Sequence, residues 1–304
     1  MTEHRFLVHL FAAEGAALRA AAPPPAAPHE RWKVLAEAPR SWPSTAELAV
    51  VGGMLADGVG WAFAAGYQAA LPAAQMVALC VTEPSGGHPR SIPTSLRPDG
   101  DGYRLDGQKR FNTFGQCAEC LLVAASIGQD EAGRNRLTLV RIPARLAGVI
   151  LDAMPDLSFV PEIPHAELTL DDVPEPASAV LSGDGYEQYI KSFRTTEDIH
   201  VNAGLLGYLW RMAQRYRWVH STREGILALI MEVGALSRVE PLAGFSSLRR
   251  RLLAAMDGLW SVAPSPVRQR WQRDIALLSV AERAHQLRSE AAWRRLKRGA
   301  DGEP

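Results

Sequence analysis

Apolar positions change their spacing along this chain, and the changes divide it into stretches. From Leu48 to Ala74 nearly every residue is apolar or small, Asp57 is the only charge, and glycines stand at 52, 53, 58, 60 and 66. That pattern predicts two buried helices packed closely together, because glycine lets backbones approach. Ser44 followed by Glu47 predicts the capping box that starts the first of them. Upstream, residues 4–20 predict a short amphipathic helix. An Ala/Pro-rich linker runs from Ala20 to Pro28, and Pro39 and Pro43 make breaks on either side of Trp42. From Met76 the period shortens. Val77 to Val81 reads as a buried strand, and Thr82-Glu83-Pro84-Ser85-Gly86-Gly87 as the turn that stops it. Asp99-Gly100-Asp101-Gly102 predicts a hairpin leading into the alternating Tyr103-Arg104-Leu105-Asp106. Further strands are expected at 121–126, 137–143 and 166–170, with Ala147-Gly148-Val149 between the last two. Helical spacing then returns at 187–220, 224–235, 243–262 and 265–298. Strands followed by a run of helices predict an α+β fold, with an antiparallel barrel or sandwich at its centre.

Composition narrows the function classes. Lysine plus arginine equals aspartate plus glutamate, 33 of each, so no overall field favours nucleic acid or an anionic membrane. The arginines that gather near the C-terminus read as a solvated helix face. No uncharged apolar span of 18 residues and no signal peptide is legible, since Arg5, His9 and Glu14 interrupt the N-terminus. Three cysteines argue for a reducing compartment. The expected location is therefore the cytoplasm. Cys117-Ala118-Glu119-Cys120 is a CxxC pattern without a second pair, so both thiols are expected to line a strand interior and no metal site is expected.

The central stretch resembles a known family. Cys80-Val81-Thr82-Glu83-Pro84, then Gly102-Tyr103, then Gly107-Gln108-Lys109-Arg110-Phe111-Asn112-Thr113-Phe114-Gly115 is similar in order and spacing to the flavin-dependent acyl-CoA dehydrogenases. Asp171-Asp172-Val173-Pro174 resembles the end of their β domain. Gly183-Asp184-Gly185-Tyr186 and Ala203-Gly204-Leu205-Leu206-Gly207 resemble the entry and first helix of their C-terminal bundle. The resemblance implies a shortened member of that fold, with a reduced N-terminal helical region (1–75), a middle β domain (76–180) and a C-terminal helical domain (181–304). It implies FAD as cofactor, an acyl thioester on CoA or acyl carrier protein as substrate, and α,β-desaturation as the reaction. Because part of the family's helical shell is absent, apolar faces are expected to pair in a homodimer or with a homologous subunit. Two other readings share the fold: a non-catalytic binding or partner subunit, and a monooxygenase using reduced flavin supplied by another protein.

Carried over residue by residue, the resemblance places Leu79, Val81, Thr82, Gly87, His88, Phe111, Asn112 and Thr113 at the flavin. His88 stands where the family has serine. Removal of an α-proton needs a carboxylate, and two glutamates match positions of the family's base. Glu282 follows Arg273-Asp274 at the family spacing, while Glu197 lies ten residues before Gly207. The Arg-Asp spacing favours Glu282. Against Glu197, the adjacent Asp198 is expected to raise its pKa and to repel a CoA phosphate. Against Glu282, a continuous helix from Ser279 to Trp293 would tie its N–H to the carbonyl of Leu278 and withhold it from an oxyanion. Two family segments that hold the FAD pyrophosphate and adenine, Arg-x-x-Phe-Gly and Gln-x-x-Gly-Gly-x-Gly-Tyr, have no counterpart here.

Overall fold

The computed structural model describes residues 44–71, 75–86, 88, 91–236, 259–280 and 282–300, together with Glu30 and Arg251. The expected helix at 4–20, its linker, the breaks at Pro39 and Pro43, most of the helix at 243–262, and Gly87 lie outside the described residues.

The continuous described stretch from Ser44 opens with two helices, α1 (Thr45–Leu55) and α2 (Val59–Ala70). The capping box forms: the Glu47 N–H donates to Ser44 Oγ, and the Ser44 N–H donates to Glu47 Oε2. Seven strands follow: β1 (Val77–Cys80), β2 (Ser95–Asp99), β3 (Gly102–Thr113), β4 (Cys120–Gln129), β5 (Asn135–Pro143), β6 (Val149–Ala153) and β7 (His165–Pro176). They make one sheet in the order β1-β4-β2-β3-β7-β6, with β5 on β4. The pairs β2–β3, β3–β7, β4–β5 and β6–β7 are antiparallel, as expected. In contrast, β1 and β2 meet β4 in parallel. The sheet is therefore mixed, because β4 re-enters between two strands that precede it by long excursions rather than by hairpins.

Strand β4 shows why these residues form a sheet with two buried faces. Leu121, Val123 and Ala125 pack with Leu105, Ile142 and Leu168 in one core. Cys120, Leu122 and Ala124 pack on the other side with the helices. A strand covered on both sides reads as a continuous apolar run instead of an alternation, which is what 120–125 shows. Of the CxxC pair, Cys120 is buried at the start of β4, whereas Cys117 sits half-buried in a 3-10 turn, Gly115–Cys117. The expectation that both thiols line a strand therefore holds only for Cys120.

Helix α3 (Lys191–Arg215) covers the helical core and crosses both α1 and α2. A single π turn, Gly185–Ile190, leads into it, capped by Asp184, whose carboxylate accepts from the Tyr186 and Glu187 N–H groups. Contact between these helices depends on glycine. A Cβ on Gly207 would lie 1.9 Å from Val50 O, and one on Gly53 would lie 1.8 Å from Gly204 O. No side chain fits there without moving a helix. Gly207→Ala is expected to destabilise the protein by about 3 kcal/mol, the upper part of the range for overpacking. Urea unfolding measures it, and a loss below about 0.5 kcal/mol would show that the helices shift apart freely.

The chain continues through α4 (His220–Leu236), α5 (Ser265–Asp274), a 3-10 turn at Ile275–Ser279, and α6 (Glu282–Ala300). The single helix expected at 265–298 is thus divided. The division follows from Asp274, which is fully buried, is paired with Arg273 (Nε to Oδ1, 2.6 Å) and accepts the Val160 N–H at 2.8 Å. This anchor holds the end of α5 against the loop between β6 and β7. Trp260 and Trp271 stack at 4.5 Å beneath it, with Tyr208 of α3 alongside. Among the described residues, no helix is long and apolar enough to cross a membrane.

Candidate functional site

The site begins where β1 runs out. Beyond Cys80, Val81 and Thr82 are half-buried, and a tight turn closes with reciprocal 2.9 Å hydrogen bonds between Glu83 and Gly86. Gly86 has φ 117° there, a left-handed conformation that glycine adopts freely. Open space lies on the side where its Cβ would be. The Arg110 N–H donates to Thr82 O at 2.7 Å, and this bond draws β3 alongside the end of β1. Two stretches some thirty residues apart, the turn from Thr82 and the end of β3 from Arg110, are therefore neighbours.

At that junction β3 carries a bulge. Its pairing with β7 slips between Lys109 and Asn112, and Phe111 takes φ 56°. The extra residue turns Phe111 outward, so half of this aromatic side chain is exposed (50%); Ile127 and Ile150, on other strands of the sheet, are exposed as well. Its N–H donates to Met154 Sδ at 3.3 Å, and the Arg110 guanidinium lies 5.4 Å from its ring centroid. A non-glycine residue at positive φ that exposes an aromatic face is a strained and costly arrangement in a protein core. Next to it, Asn112 is buried; its Nδ2 donates to Ala166 O at 2.9 Å, while its Oδ1 has no partner. Thr113 is buried as well, and His88 is exposed beyond the turn.

Beneath the turn lies a feature the motif did not disclose. Lys109 Nζ and Glu83 Oε1 form an ion pair at 2.6 Å with both side chains essentially out of solvent. Thr94 Oγ1 donates to the same oxygen at 2.7 Å, and Glu83 Oε2 has no partner. Burial pushes the Lys109 pKa down, and the hydrogen bond to Glu83 pulls it back. Both residues belong to the segments that carried the resemblance. Their chemistry here is structural, since the pair clamps the turn after β1 onto β3.

The helical wall brings one of the two candidate bases to this region. Tyr67 of α2 accepts the Leu79 N–H at 3.0 Å and meets Phe193 of α3 edge-on at 6.1 Å. Burial raises the Tyr67 pKa well above the ordinary phenol value, and the charge of Glu197 adds to the rise. Glu197, half-buried, is one turn beyond Phe193 on α3 and within electrostatic reach of the phenol. One turn further on, His200 Nδ1 lies 2.6 Å from Thr196 O and its Nε2 2.7 Å from Thr45 Oγ1, and burial lowers its pKa. Those partners suit a neutral ring that donates from Nδ1 and accepts at Nε2. Glu282 opens α6 directly after the 3-10 turn. Ser279 belongs to the 3-10 turn, so the continuous helix expected from Ser279 to Trp293 does not form. The Arg273-Asp274 pair that directed attention to Glu282 is occupied in anchoring α5.

An FAD ring can be tested against these groups. Phe111 offers an exposed aromatic face, Val81 an apolar one and Thr82 a hydroxyl, all at one junction, and Asn112 Oδ1 is an acceptor lacking a partner. Backbone amides, one hydroxyl and an aromatic platform are a donor set suited to a planar ring with carbonyl and imide edges. The residues present fit. Leu79 does not point to this junction; it lines a groove with Phe193 and Thr196. Arg141, on the rim of that groove, was missed from the sequence. It interrupts the apolar positions 137 and 139 of one strand face, and that break in alternation is the signal that could have found it.

Comparison with known proteins agrees with the architecture. Residues 78–173 match the family description "Acyl-CoA dehydrogenase, middle domain". A relative from Bacillus subtilis (strain 168), "Probable acyl-CoA dehydrogenase YngJ", is 29% identical over 114 residues. The match covers 36% of this chain and only 30% of that relative. Among solved structures, a probable acyl-CoA dehydrogenase from Mycobacterium abscessus superposes with TM-score 0.64 at 17% identity, over 97% of this chain and 99% of the other. FkbI, described as acting in biosynthesis of the methoxymalonyl extender unit of a polyketide immunosuppressant, gives TM-score 0.61 at 19% identity, over 85% and 84%. At such identities the structural likeness establishes the fold.

Proposed function

We infer, for a chain whose residues 78–173 are an acyl-CoA dehydrogenase middle domain set within the fold of that family, that it is a flavin-dependent oxidoreductase acting on an acyl thioester. The observation that carries this reading is the junction at Thr82 and Phe111, where a hydrogen bond and a bulge together expose an aromatic platform beside the half-buried Thr82 and the buried, unpartnered Oδ1 of Asn112. Bound FAD supplies the hydride acceptor. Phe111 and Val81 shield one face of the ring position from water, and Thr82 and Asn112 supply polar contacts at its edge. The Glu197 carboxylate takes the α-proton of the thioester, which forms the α,β-double bond as hydride leaves the β-carbon. Tyr67 and Phe193, which meet edge-on at 6.1 Å, stand on the helical wall beside it. Association with a second copy or a homologous subunit belongs to the same reading, supported by Val262, Val280, Leu287 and Trp293, which are exposed along the C-terminal segment.

The test is anaerobic. Purified protein is incubated with FAD, freed of excess and mixed with acyl-CoA substrates of graded length while flavin absorbance is followed. Retained flavin that bleaches on mixing supports desaturation. Retained flavin that bleaches only with an external reductant and then consumes oxygen indicates monooxygenation. Failure to retain flavin and to bleach indicates a non-catalytic subunit.

A further inference from the structure

Between the helical face of the sheet and the start of α3 lies a groove of about 310 Å³. Its floor is made by Val77 and Leu79 of β1, Leu122 of β4 and Leu139 of β5, each the member of its strand's alternation that faces the helices. Its wall is a single face of α3 and the turn before it, Tyr189, Ser192, Phe193 and Thr196, spaced by three and four residues. The volume is near the lower end for small-molecule sites, which run from about 300 to 1,000 Å³. It suits one slender molecule rather than a nucleotide or a fused-ring lipid.

The polar groups along the groove determine which molecule. Ser192 Oγ donates to Gln188 O at 2.6 Å, Thr196 Oγ1 donates to Ser192 O at 3.1 Å, and the Tyr189 hydroxyl donates to Ser182 O at 2.8 Å. Each hydroxyl of the wall has therefore given its hydrogen to the backbone, and what it turns toward a ligand is at most an acceptor; Gln188, a neutral amide that also lines the groove, packs against Gly183. Arg141 differs. It stands two residues beyond Leu139, so the strand's period of two sets its guanidinium on the rim of the apolar floor. It is exposed, and none of the described carboxylates pairs with it. A planar cation with five donors at the end of an apolar channel recognises a carboxylate.

We propose that this groove binds a single aliphatic chain ending in a carboxylate, with the head on Arg141 and the tail along Leu139, Leu122 and Leu79. The site requires no flavin, so it stands or fails separately from the oxidoreductase reading. Its inner end borders Leu79, whose N–H is held by Tyr67. A chain seated there lies beside the segment that leads to Thr82.

Calorimetric titration of the full-length protein without added flavin tests the proposal, with octanoate, octanol and acetate as probes. Octanoate is expected to bind. Octanol, which lacks the charge, and acetate, which lacks the chain, are each expected to bind at least about tenfold more weakly, the scale of one charge-assisted contact or of a few buried methylenes. Arg141→Gln is expected to weaken octanoate about tenfold and to leave octanol unchanged. Arg141 is exposed and makes no ion pair among the described residues, so this variant should keep the wild-type melting temperature, which is measured alongside. Absence of octanoate binding to the wild type overturns the proposal. So does equal affinity of octanoate and octanol, of octanoate and acetate, or of wild type and Arg141→Gln for octanoate.

Discussion

Glu197→Gln is expected to slow acyl-thioester bleaching of the flavin-loaded protein by a factor of about 10² to 10⁴, the range for loss of a positioned general base. Glutamine matches glutamate in size but cannot take a proton. The helix and its packing should therefore persist while the chemistry stops. The argument for Glu197 is positional. It lies on α3 one turn beyond Phe193, and its charge is felt by Tyr67, whose oxygen accepts the Leu79 N–H. Glu282→Gln is expected to leave bleaching within about twofold, because α6 begins at that residue behind a separate turn and the Arg273-Asp274 spacing that favoured it belongs to an anchor. Single-turnover stopped-flow absorbance on both variants checks the assignment. Bleaching lost in Glu282→Gln and kept in Glu197→Gln transfers the role of base to Glu282. Bleaching kept in both removes carboxylate catalysis from either position.

Lys109→Met is expected to cost about 3 to 5 kcal/mol of stability, enough to consume much of a typical domain's margin of about 5 to 15 kcal/mol. The cause is not the loss of an attraction as such. Methionine fills the volume of the lysine stem, but it leaves the Glu83 carboxylate buried with one oxygen held by Thr94 and the other without a partner. The double variant Glu83→Gln with Lys109→Met removes both charges and is expected to recover most of the loss, because a neutral pair needs no counter-ion in a low-dielectric interior. Guanidinium unfolding of the two variants and the wild type gives the comparison. A single variant within 1 kcal/mol of wild type would mean that water reaches Glu83, and the clamp would lose its role. Because the clamp joins the turn after β1 to β3, the single variant is also expected to lose flavin, whereas the double variant keeps it.

Several parts of this architecture were legible as pattern. Strand β1, the β2–β3 hairpin, strands β4, β5 and β7 and the Ser44–Glu47 box all rest on patterns within a few residues, and the small residues 203, 204 and 207 were legible as a helical spacing although what they pack against lies in α1 and α2. Alternation, turn chemistry and helical spacing report such patterns directly. The antiparallel character of the sheet was legible only in part, because parallel pairing of β1 and β2 with β4 depends on which strand returns to which, and no local feature records that. The break within 265–298 was invisible for a related reason. The stretch carries good helical spacing throughout, and what stops it is a buried aspartate holding the N–H of Val160, more than a hundred positions away.

The same division runs through the candidate site. By itself the sequence determined the local pattern: the threonine, glutamate and glycine of a turn that stops a strand, and the lysine and phenylalanine of the strand that follows. It determined this because their order and spacing resemble a pattern that a known fold uses. Tertiary structure alone decided what each of them does. Glu83 and Lys109, 26 residues apart, became a buried clamp because the sheet brought them within 2.6 Å where no water screens them. Phe111 became an exposed platform because the pairing of β3 with β7 slipped beneath it. Arg141, a single charge in an apolar strand, acquired an apolar channel to guard only when α3 was laid across the sheet. Local sequence sets the short-range geometry. Burial, charge pairing and access to solvent are properties of what packs against a residue, and those neighbours are chosen by the whole fold.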